Sequence, residues 1–293
     1  MARRKHTPGQ RLELEDAPSA TDGPSEKIHK VLASAGLGSR RELEEWIKAG
    51  RVHVNGELAH VGQRVSVSDR IEVDGRRIKT RGAAAAEILV LNKAAGIVCT
   101  RHDPEGRPTV FDEIPKLQSG RWVSVGRLDI QTSGLLVLTN DGALAHKMMH
   151  PSTGLDREYA VRINGKLSDA TMEALTQGVE VEGEMLRFSD IQFYNGSGRN
   201  FWYHVVLLEG KNREVRRLFE AVDCTVSRLK RVRYGPIILP SWLRNGHWAR
   251  LLDSDVAELY RLLGLPYKKP RARKGPRYVA KTTCLLPYPS LEG

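Results

Sequence analysis

The chain has 293 residues, with 46 Lys and Arg against 35 Asp and Glu and a formal net charge of +11. That length suits one or two domains, and two are expected; the cationic excess points to a polyanionic partner, for which nucleic acid and an anionic membrane surface both qualify on charge alone. No apolar run approaches the roughly 18 residues that cross a bilayer, and the N-terminus lacks a secretory apolar segment, so a cytoplasmic protein without a membrane span is expected. Cys99, Cys224 and Cys284 are too scattered for a disulfide framework or a zinc spacing.

Residues 1–25 are polar and carry too few large apolar groups to offset the entropy of ordering, which predicts a disordered tail. Order is expected to begin at Ser25, a candidate N-cap. Ile28, Val31, Leu32 and Ala35 then fall at i, i+3, i+4 and i+7, the apolar face of a short helix closed by Gly36. Ser39 with Glu42 three residues on is a capping box, opening a second helix whose Leu43, Trp46 and Ile47 share a face before Gly50. Asn55-Gly56 and Asp74-Gly75 are hairpin turns, and Val65, Val67, Ile71 and Val73 alternate as a strand region does. Lys27, Lys30, Arg40, Arg41, Lys48 and Arg51 cluster on or beside the two helices, where a phosphate backbone could lie; an ordinary solvated helix face is the alternative. Residues 79–86, with four consecutive alanines, read as a linker.

From Ile88 the pattern changes. Ile88-Leu89-Val90-Leu91 is an apolar run suited to a buried strand, and it delivers Lys93-Ala94-Ala95-Gly96. Residues 101–120 are polar and contain Pro and Gly, so they are expected to be exposed. Strands over 122–125 and 135–138 flank a short polar break holding Asp129, which can either present its carboxylate to a ligand or simply cap a turn. A helix over 143–150 stops before Pro151. His146 and His150 have ligand spacing without a third candidate ligand, so no metal is expected. A strand over 158–163 carries Tyr159, and a helix over 168–176 follows. Strands near 179–182, 188–194 and 201–208 come next, with Gly196-Ser197-Gly198 as a turn, and then a basic helix over 213–222. Residues 225–234 alternate apolar and basic, giving a cationic face that could track a nucleic acid. A strand over 248–252 and a helix through Val256, Leu259, Tyr260 and Leu263 close the folded part. From Tyr267 onward clustered Lys, Arg and Pro predict a disordered basic arm.

Gly126-Arg127-Leu128-Asp129, followed by Thr132-Ser133-Gly134-Leu135-Leu136, resembles the catalytic motif of the pseudouridine synthases, in the branch that modifies ribosomal RNA. Arg157-Glu158-Tyr159-Ala160-Val161 resembles that branch's tyrosine strand, and Glu209-Gly210-Lys211-Asn212-Arg213-Glu214-Val215-Arg216-Arg217-Leu218 its basic motif, all in the family's order. The helix pair and ribbon before them look like an S4 RNA-binding domain. The run from Thr100 to Val110 is further similar to members acting on large-subunit rRNA. One departure is Ala94, where the family usually has Pro after Lys93; its absence is expected to loosen that loop. The resemblance covers roughly residues 26–265.

The resemblance implies an α+β fold: a disordered tail over 1–25, a small S4-type RNA-binding domain with its linker over 26–85, a catalytic domain over 86–266 with a mixed, mainly antiparallel central sheet flanked by helices, and a basic tail over 267–293. Isomerising uridine to pseudouridine detaches the base from C1′, turns it and rejoins it through carbon, with no net redox change, so no cofactor is implied. Asp129 would act as nucleophile or stabilise charge, and Arg216 would pair with it and keep it ionised in a dry pocket. Tyr159 would stack on the uracil or help remove a proton. Arg127 would enter the gap left by the flipped base. Lys211, Arg213 and Arg217 would hold RNA. The implied partner is 23S rRNA, free or in a large-subunit assembly intermediate, and the implied state a monomer. The rivals are a noncatalytic S4-domain protein of ribosome assembly and a glycosidase-like hydrolase, which would need a second carboxylate that does not stand out in the sequence.

Overall fold

The computed structural model describes residues 25–78, 85–117, 120–268 and 282–289. The tail expected over 1–25 and the linker over 79–86 lie almost wholly outside the described residues.

The N-terminal part runs β1 (Glu26–Lys27), α1 (Ile28–Ser34), α2 (Arg40–Lys48), β2 (Val52–Val54), β3 (Glu57–Leu58), β4 (Arg64–Val65), β5 (Ile71–Val73) and β6 (Arg76–Ile78). Helix α2 starts where the sequence says it should. The Ser39 hydroxyl accepts from the Glu42 N–H at 3.1 Å, and the Glu42 carboxylate accepts from the Ser39 N–H at 3.2 Å, an arrangement worth about 1 kcal/mol. Leu43 and Ile47 then bury against Ile28, Leu32 and Val52. Four strands pair in the order β3-β2-β5-β6. Asn55 and Gly56, and Asp74 and Gly75, all have positive φ, as two-residue hairpin turns require. Ser25 is not a helix cap. Helix α1 begins at Ile28 without a side-chain cap, because Glu26 and Lys27 are drawn into strand pairing with Val65 and Arg64, and the Ser25 hydroxyl accepts from Arg64 Nε instead.

The second part is built on one nine-stranded sheet. Its strands are β7 (Ile88–Lys93), β8 (Val123–Val125), β9 (Ser133–Thr139), β10 (Arg157–Asn164), β13 (Asp190–Ser197), β14 (Asn200–Leu207), β15 (Val226–Tyr234), β16 (Ile237–Ile238) and β17 (Trp248–Arg250), while β11 (Val179–Val181) and β12 (Glu184–Leu186) form a separate hairpin. The main order is β13-β14-β10-β15-β9-β7-β17, with β8 on β9 and β16 on β15; β15–β9 is the one parallel pair in it. Helices α3 (Gly142–Met149), α4 (Asp169–Gln177), α5 (Glu214–Glu220) and α6 (Asp253–Leu262) complete the part.

Strand β7 is buried at all six positions, which explains its unbroken apolar run. Leu89 and Leu91 join one core with Val161, Leu175 and Phe219, while Ile88 and Val90 join another, on the opposite face, with Leu144, Met148, Val256 and Leu259. Each such side chain contributes about 1.5–3 kcal/mol when fully buried.

Several expectations need correction. The 101–120 segment is not simply exposed: Asp103, Thr109, Val110 and Ile114 are buried, because a bridge between Val98 and Thr109 folds the segment back on the core. Gly196 and Ser197 belong to β13 rather than to a turn, since they pair with Phe201 and Asn200. The C-terminal arm is ordered over 282–289. Cys284 is fully buried, Leu285 pairs with Ile237, the Cys284 N–H donates to Asp255 at 2.9 Å, and the Tyr288 hydroxyl donates to Asp156 at 2.8 Å. Cys284, Leu285 and Tyr288 pack on the second core and supply the burial that holds these eight residues. No helix among the described residues is long and apolar enough to cross a membrane.

Candidate active site

Asp129 lies in the loop between β8 and β9, at the mouth of a cavity of about 450 Å³, within the size range of small-ligand pockets. The loop is held from below by a lysine. Lys93, at the end of β7, is 1 % exposed, and its ammonium donates to the carbonyl oxygens of Ala94 (2.9 Å), Asp129 (3.3 Å), Ile130 (3.4 Å) and Thr132 (2.9 Å). Burial lowers its pKa, while Cys99 and the Asp129 charge oppose the drop. The Gly96 N–H adds a bond to the Ile130 carbonyl at 2.7 Å. The alanine that replaces the expected proline at 94 therefore does not leave the loop loose, because an interior ammonium fixes it from the other side.

The loop re-enters the sheet at Gly134, which pairs in parallel with Arg231 of β15. Gly134 has φ +101°, and a Cβ there would sit 2.2 Å from the Arg231 carbonyl oxygen. Only glycine lets β9 approach β15 this closely. Arg231 in turn lies opposite Tyr159 of β10, so three adjacent strands bring loop, arginine and tyrosine to one place. Tyr159 is 9 % exposed, and its hydroxyl has no hydrogen-bond partner among the described residues.

Arg127, Asp129, Tyr159, Lys211 and Arg213 all line this cavity, together with Arg157, Glu214 and Arg231. Arg157 is fixed by bonds to the Leu208 carbonyl (2.6 Å) and the Tyr234 hydroxyl (3.2 Å). Five lining cations against two carboxylates make a site suited to a phosphate-bearing ligand.

The expected Asp129–Arg216 ion pair is not formed. Arg216 leaves α5 on a different course, donating from Nη1 to the Val226 carbonyl at 3.0 Å, and its Nε is buried without a partner. Burial and the neighbouring Arg213 lower its pKa, and the Asp129 charge opposes both; the two groups are in electrostatic reach but not in contact. Arg217 points away from the cavity and is held by Glu182 (3.0 Å) and Glu184 (3.4 Å).

Around the N-terminal helices, Lys27, Arg40 and Arg41 are exposed. Lys30 pairs with Glu26, Lys48 with Glu45 at 2.7 Å and Arg51 with Asp74 at 2.6 Å, so half of that cationic set is already engaged.

A family model for RNA pseudouridylate synthases matches residues 87–221, and one for the S4 domain matches residues 26–71. Ribosomal large subunit pseudouridine synthase B of Pseudomonas aeruginosa is 50% identical over 266 residues, covering 89% of this chain and 68% of the relative. The chain belongs to the RNA pseudouridylate synthase family. The protein of the same description from Escherichia coli K12 is 52% identical over 246 residues, covering 83% of this chain and 84% of the relative. A crystal structure of a pseudouridylate synthase superimposes with a TM-score of 0.56 at 26% identity, covering 80% of this chain and 99% of that one.

Three residues of the candidate site were not among the site residues expected from the sequence. Lys93 carried a usable signal, a lysine ending an apolar strand. Arg231 was hidden by its neighbours: residues 225–234 look like one alternating cationic face, but Arg231 lies two residues after Leu229 in unbroken register with Tyr159 and Val161, so it shares the inward face of Leu229 and is 2 % exposed. Its Nε donates to the Leu135 carbonyl at 2.8 Å, and its Nη2 is buried without a partner. Glu214 is the second carboxylate that did not stand out. It is buried and accepts from the Lys211 N–H at 2.9 Å, so it braces the basic loop; burial raises its pKa.

Proposed function

We propose that the protein isomerises one uridine of large-subunit (23S) rRNA to pseudouridine, with Asp129 as the catalytic carboxylate acting on a flipped nucleotide. The observation that carries this reading is the shared cavity in which Asp129, an aromatic ring and five cations meet. Its relatives are described as large-subunit pseudouridine synthases, which supports the choice of rRNA.

In this reading the RNA phosphates lie against Arg157, Lys211 and Arg213, which orient the strand without reading its bases. Arg127, exposed on the motif loop, takes the place of the extruded uridine in the stack. Tyr159 packs on the uracil. The Asp129 carboxylate takes part in breaking the bond between C1′ and N1, the free uracil rotates, and C5 joins C1′ while the C5 proton leaves and N1 is protonated; atoms balance without a redox partner. Arg216 is brought against Asp129 once the nucleotide displaces water from the cavity, since attraction between them grows as the local dielectric falls. The reaction is intramolecular, and the protein works as a monomer in the cytoplasm on free rRNA or an assembly intermediate.

The test is release of tritium from rRNA carrying 5-tritiated uridine, followed by mapping of the product. Asp129→Asn is expected to cut turnover on the order of a thousandfold or more while RNA affinity stays within a few-fold. A wild-type protein that binds the rRNA and releases no tritium would instead support the noncatalytic assembly-factor reading.

A further inference from the structure

The sheet has one broad area that neither core covers. Strand alternation sends Tyr159, Val161 and Ile163 toward the cavity side and its core, so Ala160 and Arg162 face the opposite way. The strand registers then align two rows across β15, β10, β14 and β13 on that reverse face. One row reads Arg228, Arg162, Trp202, Asn195; the next reads Lys230, Ala160, His204, Gln192. All eight are exposed or half-buried.

The electrostatics of these rows are unbalanced. Arg228 and Arg162 are directly opposite each other, an arrangement that destabilises a sheet unless an anion relieves it. Arg162 donates to the Ser227 hydroxyl at 3.0 Å, and among the described residues no carboxylate pairs with Arg162, Arg228 or Lys230. The nearby acids lie in a third row: Glu158 bonds His204 at 2.6 Å and Arg233 at 2.9 Å, and Asp190 accepts from Gln192 at 2.9 Å. Aromatic rings are interleaved with the cations. The Arg162 guanidinium sits 6.0 Å over the Trp202 ring, and Tyr194, turned out by a bulge in β13, lies 5.3 Å from the His204 ring and is 67% exposed.

We propose that this reverse face is a second RNA-binding surface, for a single-stranded stretch of the substrate outside the catalytic cavity. Phosphates sit on Arg162, Arg228 and Lys230, and bases stack on Trp202 and Tyr194. Single-stranded RNA fits because its unpaired bases can lie flat on aromatic side chains of a sheet, whereas a duplex hides its base faces. The proposal takes RNA as substrate from the reading above, but the strand-binding surface and the chemistry are measured separately.

The experiment uses the full chain and a fluorescein-labelled dodecamer of uridylate, with fluorescence anisotropy across a salt series and tritium release from rRNA followed in parallel. The double variant Arg162→Gln/Arg228→Gln is expected to bind the dodecamer about tenfold more weakly at low salt and to flatten the log–log salt slope by about 1.4, the value for two phosphates left without a cation. Trp202→Leu is expected to weaken it about fivefold or more. Arg228→Gln alone, at an exposed position, serves if the double variant unfolds and is expected to flatten the slope by about 0.7. A dodecamer containing 4-thiouridine is expected to crosslink within residues 192–204. Wild-type affinity in the variants, crosslinks confined to the 126–132 loop or the N-terminal helices, or equal competition by oligoglutamate would overturn the proposal, whatever the tritium assay shows.

Discussion

The Lys93 ammonium lies beneath Asp129, 3.3 Å from its carbonyl oxygen, and binds three other carbonyls of the same neighbourhood. A buried cation thus shapes the Asp129 loop through its backbone and leaves the Asp129 carboxylate free to line the cavity. Lys93→Met should leave these carbonyls short of donors, at about 1–3 kcal/mol, lowering Tm by several degrees. Turnover should fall further than RNA affinity, because the loop, not the binding surface, is displaced. A melting curve and kcat both matching wild type would remove Lys93 from this role.

Gly134→Ala should be among the most damaging small substitutions in the chain. It combines a left-handed φ with a Cβ placed 2.2 Å from the Arg231 carbonyl oxygen, and strain plus overpacking should cost on the order of 3 kcal/mol. Gly246→Ala is the control, since it shares a positive φ but meets nothing within 4 Å; about 1 kcal/mol is expected there. Denaturant titration of both variants measures the difference, and equal losses would show that contact with Arg231 adds nothing.

Arg231 keeps a buried Nη2 without a partner, which is costly unless a ligand uses it. Arg231→Met should therefore lower kcat/KM at least about tenfold while changing stability by no more than about 1 kcal/mol, because loss of the bond to the Leu135 carbonyl is offset by removal of an unsatisfied charge. A large stability loss with kcat intact would make this arginine purely structural.

Acid should loosen the ends of β10 and β15 through Arg233. Burial would raise the carboxyls of Asp156 and Glu158, but bonds from Arg233, with Tyr288 at Asp156 and His204 at Glu158, hold both below their ordinary values. A carboxylate with a depressed folded-state pKa stabilises the protein fully above its unfolded value, near 4, and loses that contribution as pH falls through the folded value. Wild-type Tm should thus drop between about pH 5 and pH 2. Arg233→Met should start lower at neutral pH and show a shallower acid slope; a slope equal to wild type would rule this network out as the cause. Asp103, held down to about 2 by Arg107, adds to the acid loss in both proteins.

Arg40→Gln with Arg41→Gln should weaken rRNA binding and flatten its salt dependence by about 0.7–0.9 for each phosphate that either arginine neutralises. Both side chains are exposed, so folding should be unaffected. A salt series with an unchanged slope would argue that these helices do not lie on the RNA backbone.

Local patterns were the readable part of the chain. The capping box at Ser39 and Glu42, the hairpin turns at Asn55-Gly56 and Asp74-Gly75, the apolar run of β7 and the motif around Asp129 each depend on residues within a few positions, so adjacent letters suffice to predict them. The ordered arm over 282–289 was not readable, because its burial is against Ile237, Asp255 and Asp156, which a scan of neighbours does not reach.

By itself, the sequence determined the kind of protein: a basic chain whose N-terminal helices are cationic and whose motifs, in order, mark an RNA pseudouridylate synthase. Tertiary structure alone decided who surrounds Asp129. Side-chain direction along a strand follows a period of two, so pairing Leu229 with Val161 and Arg231 with Tyr159 turns Arg231 into the cavity, and that register joins strands about seventy residues apart. The same pairing leaves Arg162 and Arg228 side by side on the reverse face, and it lets Arg216, the partner the motif suggested, rest on the Val226 carbonyl instead.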